Sequence, residues 1–250
     1  MNKEEQLFVK RIQELGRMAY QKDIVMFTDF MNLHYVHLLQ KEANAIPGVR
    51  VEFFGGYEGA ERQIGAFIPD DLCYEYSYPV EILKIEPLHL KFTEQLNHRD
   101  YLGAILNSGI DRSKVGDILC SGSCAYVFCM DSMVDFLRME LTRIRHTEVK
   151  VSQVTCAELP EQRFQEITGS VASERLDCMM ALAFRNSRSS MDKLAVGEKV
   201  MVNGEVVTSN SQILQVGDVV SVRGYGKFRY SEKMNLSKKN RLFVKVERYV

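Results

Sequence analysis

The N-terminal segment, residues 1–78, has apolar residues first at helical spacing and then at alternating positions. One face of a first helix is marked by Phe8, Ile12, Leu15 and Ala19. Thr28 is predicted to cap a second helix, and strands over 50–54 and 63–68 flank a glycine-rich loop. The pattern therefore predicts two helices followed by a β-hairpin.

The middle segment, residues 79–156, alternates short strands with helices. The predicted strands cover 80–85, 117–120, 125–129 and 148–154, and the predicted helices begin at Asn97 and Asp131. This β-α-β-β-α-β order is that of a ferredoxin-like domain, an arrangement shared with many RNA-recognition (RRM-like) domains. Tyr126 and Phe128 lie on one face of the third strand, where such domains stack bases. Packing in the core is the favoured interpretation of these two rings, and Ile144 is expected on the inner face of the second helix.

The C-terminal segment, residues 173–250, changes from helical to alternating spacing. A first short helix is marked by Leu176, Met179, Met180 and Ala183. Ser187 or Ser189 can cap a second helix, and Asn203-Gly204 is the dipeptide typical of a tight hairpin. Residues 157–172 are polar and weakly periodic, which predicts a linker. The fold class expected for the whole chain is α+β.

Charge is distributed unevenly along the chain. Residues 173–250 carry 14 lysines and arginines against 8 acidic residues, a net of +6, which leaves −7 for residues 1–172. A basic module beside an acidic body is expected when one end contacts phosphate groups. A solvated basic face without a partner is the alternative.

Candidate contacts with RNA follow from this basic module. Phosphate contacts are predicted for Arg175, Arg185, Arg188, Lys193 and Lys199. Directional hydrogen bonds are predicted for Ser187, Ser189 and Asn203, and an extension of the contact for Tyr225, Lys227 and Arg229. A second contact on the middle segment is predicted for Arg99, Arg112 and Lys114. Arg188→Glu is expected to weaken RNA binding without unfolding the protein.

Other classes of site receive little support from the sequence. No apolar stretch approaches the roughly 18 residues of a membrane span, so the protein is expected to be cytoplasmic with reduced cysteines. The cysteine and histidine spacings match no zinc site, so no metal is predicted. No cofactor motif and no small-molecule substrate site is evident.

Two segments resemble known families. Arg175-Leu176-Asp177, Ser187-Arg188-Ser189 and the hairpin at 200–204 resemble the small RNA-binding domain first recognised in ribosomal protein S-four. The stretches 98–104, 109–112 and 114–118, preceded by Gly55-Gly56-Tyr57 and Glu61-Arg62, resemble the YlmH family of bacterial RNA-binding proteins. That family is encoded near cell-division genes in many bacteria.

The resemblance to the YlmH family implies a non-enzymatic protein with RNA as its partner, rRNA and tRNA included. It implies binding to the large ribosomal subunit, with a part in quality control of subunits that hold a stalled peptidyl-tRNA. Two other functions stay open at this point. One is an RNA-modifying enzyme whose site lies in residues 1–160, with His98 and Asp100 as acid–base groups, and the other is an adaptor in cell division.

Overall fold

The chain divides into two compact units, Met1–Pro160 and Glu161–Val250. The computed structural model describes residues 2–43, 45–89, 94–160, 164–236 and 241–249. No helix within these described ranges is long and apolar enough to cross a membrane.

The first unit holds four helices and eight strands in its described part. Its helices are α1 (Lys3–Lys22), α2 (Leu33–Ala43), α3 (His98–Asn107) and α4 (Val134–Glu140). Its strands are β1 (Met26–Phe27), β2 (Val49–Phe54), β3 (Ile64–Pro69), β4 (Val80–Pro87), β5 (Val115–Ser121), β6 (Cys124–Met130), β7 (Arg143–Ile144) and β8 (Thr147–Val154).

The N-terminal part of this unit is a three-stranded antiparallel sheet, in the order β1-β3-β2, packed against α1 and α2. Helix α1 begins with a capping box between Asn2 and Glu5 and ends at Asp23, whose left-handed φ of 53° breaks the helix. The predicted helix and hairpin are confirmed. The predicted cap at Thr28 is wrong, because its hydroxyl is buried and accepts a hydrogen bond from the backbone N–H of Gly65 at 2.8 Å.

The second part of the unit confirms the ferredoxin-like prediction. Its antiparallel sheet has the order β5-β6-β4-β8-β7, so the four strands of the β-α-β-β-α-β unit are followed at one edge by the short strand β7. Helices α3 and α4 bury their apolar residues against one face, together with Val127 and Ile118. Ile144 is buried as expected but belongs to β7, because α4 ends at Glu140.

The other face of this sheet is also covered. Phe128 is fully buried in a cluster with Phe30 and Ile64 of the N-terminal part, and its ring centroid lies 4.8 Å from that of Tyr57. A Cβ atom on Gly56 would lie 2.3 Å from the Phe128 ring, so the backbone approaches this ring too closely for any side chain. The interpretation of Phe128 as a core residue is therefore confirmed.

The second unit is a six-stranded antiparallel sheet with two helices on one face. Its helices are α5 (Leu176–Ala183) and α6 (Arg188–Val196). Its strands are β9 (Phe164–Val171), β10 (Val200–Val202), β11 (Glu205–Val206), β12 (Val219–Val222), β13 (Gly226–Leu236) and β14 (Leu242–Tyr249), in the sheet order β11-β10-β12-β13-β14-β9. The predicted helix pair and hairpin are confirmed.

Strand β9 contradicts the predicted linker over 157–172. Residues 164–171 pair with β14 along the whole strand, from Phe164 opposite Tyr249 to Val171 opposite Leu242. The linker prediction is therefore wrong for these residues. The sequence misses the strand because only Ile167 and Val171 are buried on it, which is too few apolar positions to produce an alternating pattern.

Candidate nucleic-acid interface

The basic part of the second unit is built around one buried carboxylate. Asp177 lies in the first turn of α5, and its side chain is only 2% exposed. One of its oxygens accepts a hydrogen bond from Arg175 Nε at 3.1 Å, and the other accepts from Arg188 through Nε at 3.0 Å and through Nη2. Arg188 nevertheless keeps about half of its side chain exposed, at 52%. Asp177 thus holds in place the side chains of Arg175 and Arg188, both of which are predicted to contact phosphate.

The protonation of Asp177 reflects this arrangement. Burial pushes the pKa of its carboxyl upward, but the hydrogen bonds and positive charges of Arg188 and Arg175 outweigh burial. The pKa of Asp177 therefore lies below its ordinary value, and the carboxylate stays ionised at neutral pH. The same hydrogen bond raises the pKa of Arg188.

Three further predicted cations lie near the ends of these helices. Arg185 follows α5 with a left-handed φ of 50°, Lys193 lies on α6 and Lys199 precedes β10. All three side chains are exposed, and none forms an ion pair within the part of the chain that the structure describes. They leave unpaired positive charge on the surface of the second unit.

The two predicted serines lie at the start of α6. Ser187 is its N-cap, and its hydroxyl accepts a hydrogen bond from the backbone N–H of Ser190 at 3.2 Å. The hydroxyls of Ser187 and Ser189 lie 3.2 Å apart and are exposed. Both can still reach an acceptor outside the protein.

Asn203, for which a contact with RNA is predicted, has a structural role in the hairpin. Its backbone has a left-handed φ of 54°, as the tight hairpin between β10 and β11 requires. Its side-chain amide donates to Asp218 at 2.8 Å and accepts from the backbone N–H of Val219 at 2.9 Å. These bonds tie the hairpin to the start of β12.

The residues predicted to extend the contact lie elsewhere. Tyr225 packs against Phe184, with ring centroids 5.7 Å apart. Lys227 and Arg229 alternate on β13 with the buried Phe228 and Tyr230, so they lie on the sheet face opposite the helices. The structure does not bring Lys227 and Arg229 together with the arginines around Asp177.

Two of the three predicted contacts on the middle segment are engaged within the first unit. Arg112 donates to the carbonyl oxygens of Val115 and Gly116, and burial lowers its pKa. Lys114 Nζ lies 2.6 Å from a carboxylate oxygen of Asp29. The second contact over Arg99, Arg112 and Lys114 stays a prediction, in which Arg112 and Lys114 are held by contacts within the first unit and Arg99 is exposed.

A partly buried polar network that sequence reasoning missed lies beside these residues. Asp117 accepts hydrogen bonds from the Tyr57 hydroxyl at 2.8 Å and from the backbone N–H of Glu61 at 2.7 Å. Arg62 donates to the carbonyl oxygens of Phe30 and Val115, and burial lowers its pKa to about 10. In the sequence, the signal for this network is the set of motifs that resemble the YlmH family. In this fold the residues of those motifs join the two sheets of the first unit.

Asp100 is likewise engaged in structure. One oxygen accepts from the backbone N–H of Asn97 at 2.9 Å and completes the capping box of α3, while the other lies 2.7 Å from Arg145 Nη2. Each carboxylate oxygen of Asp100, the residue that was an acid–base candidate together with His98, thus has a structural partner. Arg145, together with Arg143, was missed by sequence reasoning, although the Arg-Ile-Arg-His stretch ahead of β8 was a visible cluster of charge.

Comparison with known proteins supports the RNA-related interpretation. The family model of the RNA-binding domain in YlmH matches residues 74–158, and that of the S4 domain matches residues 174–220. The ribosome-associated protein quality control protein P2 of Bacillus subtilis (strain 168) is 28% identical over 255 residues, covering 98% of this chain and 96% of that protein.

A solved structure has a similar fold. The cell division protein YlmH from Streptococcus pneumoniae superposes with a TM-score of 0.54 and 22% identity, over 64% of this chain and 97% of that one. At this identity the likeness concerns the fold alone. Both matched family models describe RNA-binding domains, so the chain contains a segment similar to the RNA-binding domain of YlmH and an S4 domain, and it is similar over nearly its full length to a ribosome-associated quality control protein.

Proposed function

We propose that this protein is a non-enzymatic, cytoplasmic RNA-binding factor of the large ribosomal subunit. In this proposal it acts in quality control of subunits that hold a stalled peptidyl-tRNA, and its S-four-type unit binds the structured RNA. Two observations support the proposal: the matched family models are RNA-binding domains, and a relative over nearly the whole chain is named for ribosome-associated quality control.

The observation that carries the proposal is the arginine pair on Asp177. A guanidinium binds a phosphate group through two parallel hydrogen bonds when its plane is correctly oriented. Asp177 orients Arg175 and Arg188 before any ligand arrives, so less side-chain entropy is lost on binding. The exposed guanidinium of Arg188 is available to a phosphate on its outer side.

The remaining contacts divide by chemistry. Arg185, Lys193 and Lys199 supply exposed positive charge, which raises affinity and association rate without reading sequence. Ser187 and Ser189 supply short, directional hydrogen bonds at the start of α6. Such a surface recognises the shape of a folded RNA through its phosphates and 2′-hydroxyls.

The test is sedimentation of the full chain with ribosomal subunits through a sucrose gradient. The informative variant is the triple substitution Arg185→Glu, Lys193→Glu, Lys199→Glu, because these side chains have no ion-pair partner in the described structure. We expect wild-type protein to migrate with free large subunits and the triple variant to remain at the top of the gradient.

The matched control is the triple substitution Lys10→Glu, Arg17→Glu, Lys22→Glu on exposed positions of α1, which changes the net charge equally. It is expected to sediment as wild type does. A wild-type protein that stays at the top of the gradient contradicts the proposal, as does a triple variant of the second unit that still migrates with large subunits.

The role in quality control has its own measurement. Large subunits that carry peptidyl-tRNA and vacant large subunits are offered in equal amounts to tagged protein, and the tRNA retained is quantified. Preferential recovery of the subunits that carry peptidyl-tRNA supports the role. Equal recovery of both populations limits the function to binding of the subunit.

A further inference from the structure

The ferredoxin-like part of the first unit matches an RNA-binding family model, yet the sheet face on which such domains stack bases is covered. Phe128 on that face is fully buried, beside Ile82 and Phe30. The polypeptide around Gly56 seals this face at a distance that leaves no room for a base. An RNA contact on this part of the chain must therefore use another surface.

A cleft of about 540 Å³ opens between α3 and the β7–β8 hairpin. Three arginines line it from two separate elements: Arg99 from α3, and Arg143 and Arg145 from the hairpin. Within the described part of the chain, neither Arg99 nor Arg143 forms an ion pair. The acidic residues of the lining are Asp100, whose charge is paired with Arg145, and Glu140.

The hairpin turn holds Arg145 in an uncommon backbone conformation. Arg145 and His146 form the two-residue connection between β7 and β8, and Arg145 has a left-handed φ of 52°. Asn or Gly is the usual residue at such a position, so an arginine there is unfavourable for the turn itself. The conformation brings the guanidinium within 2.7 Å of Asp100, whose side chain is 7% exposed. The turn therefore carries backbone strain, and it places at the cleft an arginine that Asp100 holds by an ion pair.

Gly103 lies in the interior of α3 and lines the same cleft. Glycine is a poor helix former, so an interior glycine usually reflects a neighbour that comes too close for a side chain. No such neighbour is present among the described residues, because a Cβ atom on Gly103 would have nothing within 4 Å. Gly103 therefore borders open space, and a longer side chain at this position would project into the cleft.

We propose that the arginine cleft, formed by Arg99, Arg143 and Arg145, binds a backbone phosphate of RNA and is the RNA contact of the ferredoxin-like part. This inference rests on the proposed function, since it takes RNA as the ligand. Two unpaired guanidinium groups and a third oriented by a carboxylate supply the positive charge and the hydrogen-bond donors that a phosphodiester binds, and the cleft is large enough to admit one. Glu140 opposes such a ligand, which makes it a sensitive probe.

The first test measures equilibrium binding of full-length protein to purified large ribosomal subunits over a series of KCl concentrations. Arg99→Gln with Arg143→Gln is expected to lower affinity on the order of ten-fold at a fixed salt concentration. The slope of log K against log[KCl] is expected to become shallower by about 2, one for each lost cation. The matched control, Arg138→Gln with Lys150→Gln, removes two exposed charges of the same part outside the cleft and should change the affinity less than two-fold or so.

Two further variants separate occupancy of the cleft from general electrostatics. Gly103→Gln fills the cleft without changing charge and is expected to lower affinity, whereas Gly103→Ala should leave it unchanged. Glu140→Gln removes the opposing charge and is expected to raise affinity by a few-fold.

The outcomes distinguish the two proposals. Wild-type binding that the triple variant of the second unit weakens, but that the cleft variants leave unchanged, overturns the arginine cleft alone. An affinity that Gly103→Gln does not alter also overturns it, because filling a phosphate site must weaken binding. Absence of wild-type binding to large subunits overturns the proposed function and the cleft together.

Discussion

Each of the two units places an aspartate in the first turn of a helix and uses it to hold arginine at the surface. In the second unit, both carboxylate oxygens of Asp177 accept hydrogen bonds from side chains, one from Arg175 and one from Arg188. In the first unit, one carboxylate oxygen of Asp100 pairs with Arg145, and the other accepts a hydrogen bond from the backbone N–H of Asn97 at the start of its own helix. Asp177 thus holds two arginines, whereas Asp100 holds one arginine and caps its own helix.

This difference determines what a mutation reports. An arginine whose inner side binds a buried carboxylate is part of the fold as well as part of the surface. Replacing it removes a proposed contact with RNA and also leaves a buried charge without its partner, which is costly. Exposed cations such as Lys193 have no such second role, so their substitution reports on binding alone.

The largest expected effect is that of Arg188→Glu. It places a second carboxylate beside the buried Asp177 and is expected to destabilise the second unit by about 3–5 kcal/mol. The variant therefore tests the stability of the second unit as well as RNA binding. Urea unfolding followed by hydrogen exchange of the α5 and α6 amides measures the change.

Lys193→Glu is the control for this variant, because it makes the same change of charge at an exposed position of α6. Its stability is expected to stay within about 0.5 kcal/mol of wild type. Equal stability of the Arg188→Glu and Lys193→Glu variants would show that Asp177 does not depend on Arg188.

A smaller and pH-dependent effect is expected for Asp177→Asn. The folded-state pKa of Asp177 is lowered, so its ionised form contributes stability above the pKa it has in the unfolded chain. This contribution is lost as the pH falls through the folded-state pKa. The variant should be less stable than wild type by about 1.5–3 kcal/mol at pH 7, and the difference should shrink steadily in the acid range below the ordinary pKa of an aspartate.

Urea unfolding of both proteins at a series of pH values, followed through the amides of the second unit, measures that difference. A gap between wild type and Asp177→Asn that stays constant from neutral to strongly acid pH would contradict the assigned role of the carboxylate.

The smallest effect is expected for Asp100→Asn. The amide oxygen of Asn can still accept from the backbone of Asn97, but the ion pair with the half-exposed Arg145 is lost. The cost is expected to be about 0.5–1 kcal/mol, measured by thermal unfolding at low salt. Asp135→Asn, which removes an exposed carboxylate 3.8 Å from Arg138, is the control and should leave the unfolding temperature nearly unchanged.

If Asp100→Asn proves as costly as Asp177→Asn, the two anchors are equivalent and the contrast between the units fails. If it costs nothing, the arginine at the cleft is held by the strained turn alone.

Several elements of the fold were predictable because their causes are local. The capping box at Asn97, the break after α1 and the Asn203-Gly204 hairpin all depend on residues within a few positions of one another. The order of strands and helices in the middle segment followed from the same periodicities. Strand β9 was missed because its place at the sheet edge is maintained by backbone pairing with β14, which leaves little trace in the pattern of side chains.

For the candidate site, the sequence predicted which residues supply the charge but not how they are arranged. The sequence alone determined that the C-terminal segment is basic, which residues supply the charge and that a helix pair and a hairpin present them. Only the tertiary structure decided that Arg188 is anchored by Asp177, that Arg112 turns inward and that Arg143 and Arg145 join Arg99 at one cleft. The physical reason is that periodicity and turn chemistry act between neighbours, whereas ion pairs and covered faces depend on residues that meet only when the chain has folded.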